Sequence, residues 1–218
     1  MRKLYIPFLS LGMLFSATMA SAQQDYHFSQ FFASPITYNP ANSGAFDADL
    51  RAAVNYRNQY GSIAEPYKTI AVAADAPLKL TNEVYDRNFL GLGLAVVSDN
   101  AGTPNFKTLH VAGSIAYAMD LGGTDNAPHF ISVGLQFGLL QRSLDFTKAS
   151  WESQWTGTAF DPGMASNEEY AGKMAETNLD LGAGISWYNT LSENSRILVG
   201  ASMLHANAPK VEMIGSEE

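Results

Sequence analysis

The chain has no cysteine, which excludes disulfide staples, thiol nucleophiles and a lipidated N-terminal cysteine. It is also short of positive charge, with 13 Lys and Arg against 21 Asp and Glu, a formal net charge of −8. That balance is unsuited to gripping nucleic acid or an anionic surface. Beyond Leu4 to Met19 no apolar run is long enough for a helix to cross a bilayer. Catalytic signatures are missing as well. The histidines His27, His110, His129 and His205 are scattered, without the i, i+4 pairing or carboxylate spacing of a metal site. Ser202 follows Gly200, but Leu204 stands where a nucleophile elbow needs its second glycine. No glycine loop opens a helix to cradle phosphate. No catalytic, cofactor-binding or metal-binding residue is therefore assigned, and the chain reads as non-enzymatic.

What is present begins with an export signal. Arg2 and Lys3 precede the apolar stretch, and Ala20-Ser21-Ala22 forms an A-x-A site before Gln23. Residues 1–22 are expected to be a cleaved signal peptide, rather than a retained helical anchor, with the mature chain starting at Gln23. Losing Arg2 and Lys3 takes the 13 basic residues to 11 against 21 acidic ones, a net charge of −10.

The rest is a β-pattern with an unusual pair of faces. Leu90, Leu92, Leu94 and Val96 alternate with Gly91, Gly93 and Ala95. Ile131, Val133, Leu135, Phe137 and Leu139 alternate with Ser132, Gly134, Gln136 and Gly138. Leu109, Val111, Ile115, Tyr117 and Met119 oppose Thr108, His110, Ala112, Ser114 and Ala116, and Leu179 to Trp187 repeats the scheme. One face is bulky and apolar; the other is small and mildly polar. A soluble β-sandwich or lipocalin-like barrel would carry many Lys and Glu on its water face, and these segments almost lack them. Lipid outside and an enclosed interior account for the pattern. The predicted fold is all-β, an antiparallel transmembrane β-barrel of the outer membrane.

Strands are expected at about 49–58, 67–76, 88–98, 105–121, 129–141, 178–189 and 196–205, within a barrel domain of residues 23–218. Residues 23–47 are an irregular lead-in, because Pro35 and Pro40 with Asn39, Asn42 and Gly44 break any ladder. Its aromatics still need burial, so a plug tucked into the lumen is one reading. With the lead-in periplasmic, the long loop at 142–177 falls outside the cell and the short turns inside. Arg51, Asn55, Arg57 and Gln136 are candidate lumen or plug contacts, Arg51 foremost because Leu50 and Ala52 face away. Phe146, Trp151, Trp155 and Phe160 in the long loop are candidate partner contacts; a loop folded on itself explains them equally. Seven strands cannot close an antiparallel barrel. Either the count misses a strand or the chain stops early, and the barrel is expected to be incomplete, its C-terminal part missing.

The N-terminal residues are more specific. Asp25-Tyr26-His27-Phe28-Ser29-Gln30-Phe31-Phe32, Pro35, Asn39-Pro40-Ala41, Gly44 and Asn55-Tyr56-Arg57-Asn58-Gln59-Tyr60 resemble the PorP/SprF family, with Tyr60 in place of the usual tryptophan. Looser matches continue through Phe160-Asp161-Pro162 to Gly200-Ala201-Ser202-Met203-Leu204-His205 and Pro209. The resemblance implies an outer-membrane component of the Bacteroidetes type IX secretion and gliding-motility machinery. Such a component helps deliver or hold secreted adhesin-like proteins and associates with periplasmic and lipoprotein components of the machine. A passive pore or apolar-solute channel is the competing reading; a lipid-modifying barrel enzyme has no residue in its favour.

Overall fold

A computed structural model describes residues 28, 31–62, 66–80, 87–102, 106–124, 127–149, 151–165, 173–192 and 195–209. The expected signal peptide and the residues after Pro209 lie outside the described residues. The strands are β1 (Arg51–Gln59), β2 (Tyr67–Lys79), β3 (Phe89–Ala101), β4 (Phe106–Asp120), β5 (His129–Asp145), β6 (Lys173–Ser192) and β7 (Ser195–Met203). Each pairs antiparallel with the next, giving one seven-stranded sheet in sequence order, with β1 and β7 at its two edges. No helix among the described residues is long and apolar enough to cross a membrane.

Side chains alternate across a strand, so the ladder register sorts the two faces. Val54, Val72, Val96, Val111, Leu139 and Leu179 stand side by side on the outer face. Met119, Ile131, Trp187 and Val199 form the corresponding row at the other end of the apolar zone. Between Ile131 and Leu139 the strand advances about 27 Å at ~3.4 Å per residue, close to the ~25 Å apolar band of membrane barrels. The next rows mix in polar side chains: Ser98, Gln141 and Thr177 beside Ile70 and Leu109 at one end, His129 and Asn189 beside Ile197 at the other. Trp187 lies at this boundary, its indole Nε1–H donating to His129 Nε2 at 3.0 Å. Most of the outer apolar side chains are exposed, Val54 by 71% and Leu179 by 69%. Only a bilayer makes that favourable.

The facing carries a test. Leu135→Arg, near the middle of the band, is expected to destabilise the protein in bilayers by about 2–4 kcal/mol. Gln141→Arg, on the outer face at the polar boundary, is expected to cost no more than about 1 kcal/mol. Urea titrations in lipid vesicles that gave equal costs would reverse the assignment of faces.

Several strands outrun the sequence expectation. β3 continues to Ala101, past the expected end at 98; β5 continues to Asp145, past 141, and β6 begins at Lys173 instead of 178. The long loop therefore covers 146–172. These polar extensions lie beyond the apolar band, where water receives them and ladder hydrogen bonds still hold the backbone. β2 also reaches Lys79 through Pro77, at the short-turn end.

Candidate functional site

The small-residue face is covered by the chain's own lead-in. Phe31–Ala33, Pro35–Thr37 and Pro40–Asn42 form three short 3-10 turns. Pro35 and Pro40 open the second and third, where a missing N–H costs nothing. Asn39 caps the third, its Oδ1 accepting from Ala41 N at 2.9 Å. The same side chain's Nδ2 donates to Ile185 O and Ser186 Oγ, both at 3.1 Å. One asparagine thus both shapes the turn and ties it to β6.

The glycines of the inner face are the seats. The Pro40–Asn42 turn rests on β4, β5 and β6. A Cβ on Gly134 would collide with the backbone of Pro40 and Ala41, one on Gly184 with Asn39, and one on Gly91 with the carbonyl of Ser43. Gly44 follows at φ +72°, and its own Cβ would stand 2.9 Å from Gly91 Cα, so both the backbone angle and the space require glycine. Ile36 packs on Ala73 and Ala95 as a small apolar cluster. The other fastenings described here are polar.

Arg51 is the centre of one fastening. Its Nε and Nη2 donate to Asp75 Oδ1 at 2.9 Å and Oδ2 at 2.7 Å, and Nη2 also donates to Asn42 O at 3.1 Å. Asp75, almost fully buried, accepts further from Gly44 N at 2.8 Å. The guanidinium stands 4.6 Å over the Phe46 ring. Asn55 donates to Ser34 Oγ, Ser43 and Ser114 share a 2.7 Å hydroxyl bond, and Ser202 Oγ donates to Tyr38 O at 2.6 Å. At the short-turn end, Phe130 stacks on Tyr188 at 5.0 Å and meets Phe89 edge-on at 5.7 Å, forming an aromatic floor.

The other sequence candidates are placed differently. Arg57 lies at the long-loop end, donating to Gln59 Oε1 at 2.6 Å and standing over the Tyr67 ring. Gln136 is on the inner face but only 3% exposed, with Oε1 lacking a partner among the described residues. In the long loop Phe146 stacks with Trp151 at 5.9 Å, while Trp155 bridges Phe160 in a small hairpin. Trp155 and Phe160 remain 55% and 40% exposed. Gln154 braces this loop, accepting from Trp151 N at 3.2 Å and donating to Met164 O at 3.0 Å.

The histidines are less scattered than their spacing suggested. Asp180, 1% exposed, is reached from two sides, by His110 Nε2 at 2.8 Å and His205 Nδ1 at 2.6 Å. His205 has φ +54°, a bend that turns the chain off the ladder after Met203. Asn207 then bonds the edge of β6 just past the β7 pairing, its Oδ1 accepting from Leu181 N at 3.0 Å and its Nδ2 donating to Leu179 O at 2.7 Å. Among the described residues no group of three or more His, Cys, Asp or Glu side chains is placed to hold a metal ion. None of Asp75, Asn39 and Asp180 is among the contact residues expected from the sequence, although Asn39 stands there as a ladder breaker and as part of the family motif. Asp75 is an acidic residue inside an otherwise uncharged run of β2.

A model of one protein family matches residues 20–216; its description is type IX secretion system membrane protein PorP/SprF. No curated protein and no solved structure matches the chain.

Proposed function

The chain belongs to the PorP/SprF family of type IX secretion system membrane proteins, and from that membership we propose that it is a non-enzymatic outer-membrane component that helps deliver or hold secreted surface proteins. The family match carries this reading. The outer apolar band and the exported-protein signature at the N-terminus support the outer membrane as its location. Periplasmic and lipoprotein components of the type IX machine, and secreted adhesin-like substrates, are the proposed partners. Gliding motility and a Bacteroidetes origin are implied by the family.

The lead-in bears on the competing pore. Residues 34–46 cover the small-residue face at the level of Gly91, Gly134 and Gly184, where a passive channel would need open water. That favours a plugged, protein-handling barrel over a conduit for solutes. The exposed Trp155–Phe160 hairpin is the proposed contact surface for a partner, since exposed aromatics braced by a folded loop lose little side-chain entropy on binding.

Deleting the gene is expected to abolish surface display of a secreted adhesin while leaving small-solute uptake unchanged. Co-purification of the tagged protein with periplasmic ring or lipoprotein components is expected alongside. Normal adhesin display with altered solute uptake would transfer the assignment to the pore.

A further inference from the structure

At the long-loop end of the outer face, the mixed row around Tyr56, Ile70 and Leu109 gives way, two residues on, to a row of different chemistry. There Asn58 is paired with Lys68, Lys68 with Asn100, Asn100 with Lys107 and Lys107 with Ser143. Both lysines are exposed, and neither has a hydrogen bond or ion pair among the described residues. No carboxylate shares either row. Asp99 and Glu176, the acidic residues at this height, sit at ladder positions of the inner face. Asp145, one row further out on β5, accepts from Thr147 N and Oγ1. The opposite end is unlike this one: its outer row of His129, Asn189 and Ile197 carries neither lysine nor arginine.

We propose that Lys68 and Lys107 together hold the phosphate of an anionic lipid headgroup at the long-loop end of the barrel wall. Two residues beyond Ile70 and Leu109 is about 7 Å along the strand. At a strand tilt of about 35–45° this is about 5 Å of depth. The lysine row therefore falls in the headgroup layer, which adds about 5–7 Å to each side of the hydrocarbon core. Tyr56, 61% exposed in the row beneath, is the amphipathic ring expected at that boundary. Lys68 and Lys107 stand two strands apart, about 10 Å between backbones, so their long side chains converge over the shorter Asn100. Each apolar stem lies along the wall while its ammonium rises to the phosphate and donates a charge-assisted hydrogen bond to one oxygen. A headgroup is favoured over a free anion because Ile70 and Val72, both exposed, lie below to receive its acyl chains. The inference rests on the membrane reading in one respect: that this row meets headgroups.

The chain has no native cysteine, so Asn58→Cys, exposed in the lysine row, carries a single fluorescent label. The labelled full chain is reconstituted in phosphatidylcholine bilayers and quenched with nitroxide-bearing phosphatidic acid or phosphatidylcholine. Phosphatidic acid is expected to quench at about tenfold lower mole fraction. Lys68→Gln and Lys107→Gln are each expected to weaken this preference about fivefold, the effect of one basic residue near an anionic lipid surface. Lys68→Arg is expected to keep it. Lys79→Gln, exposed at the short-turn end, changes the net charge equally and is expected to leave the preference unchanged. Heat-modified gel mobility confirms folding of each variant. Inorganic phosphate at matched ionic strength is expected not to compete; competition would make the ligand a free anion and overturn the lipid assignment. Equal quenching by both lipids, or a preference untouched by the two glutamine substitutions, would overturn the proposal and leave the apolar band standing. Quenching by neither lipid would overturn it together with the membrane reading.

Discussion

Asp75→Ala is expected to cost about 3 kcal/mol and to release the lead-in. Removing one member of a buried ion pair costs about 3–5 kcal/mol, because the partner charge stays behind. The lower end applies here, since the Arg51 side chain is 25% exposed and water partly receives it. Gly44 N would lose its acceptor at the same time, adding the penalty of an unsatisfied backbone donor. Asp75→Asn keeps one acceptor oxygen and is expected to lose roughly half as much. Urea titration in detergent gives the energies, and protease cleavage within residues 34–46 reports the release. A cost below about 1 kcal/mol for the alanine variant would show that the lead-in is held by something other than this carboxylate.

Gly134→Val is expected to have the larger structural effect. The position its Cβ would take is already filled by the backbone of Pro40 and Ala41. Backbone cannot swing aside as a side chain does, so either the lead-in leaves or the sheet distorts. Overpacking of this kind costs about 1–3 kcal/mol and sometimes more. Gly113→Val is the matched control: it lies in the next strand but on the outer face, where the nearest atoms to a Cβ are 3.9 and 4.0 Å away. It is expected to be tolerated. If the lead-in is what covers the inner face, limited proteolysis of the Gly134 variant should cut within residues 34–46, where the parent and the Gly113 variant resist. An intact protease pattern in the Gly134 variant would contradict the seating described above.

Much of this was legible from residue order because a strand's period is two. The alternation of Leu90 to Val96 with Gly91, Gly93 and Ala95 set both the strand and its faces, and it placed Arg51 and Asn55 on the inner side. Prolines and asparagines marked the lead-in as irregular. What the sequence hid was convergence. Asn39 meets Ser186 across 147 positions, and His110 and His205 meet on Asp180 only because β4, β6 and the bend after β7 are brought together. Nothing local encodes that. Strand ends were misread for a different reason: beyond the apolar band the large-small alternation fades, with Ser-Asp-Asn near the end of β3, Arg-Ser-Leu-Asp at the end of β5 and Lys-Met-Ala-Glu-Thr at the start of β6. In the alternation the glycines count only as small residues of the inner face; in the fold Gly91 and Gly134 are fitted against specific backbone and Gly184 against the Asn39 side chain. The residues that carried the family resemblance, Asn39-Pro40-Ala41 and Gly44, are the ones that make this fit.

The meander has a directional consequence. Because neighbours alternate in sense, β1 and β7 point the same way along the membrane normal. Joining them directly, or joining two copies of the sheet that share one orientation, would produce a seam of codirectional strands. An antiparallel seam needs an odd number of further strands between these two edges, whichever polypeptide supplies them, and each must run opposite to the edge it meets.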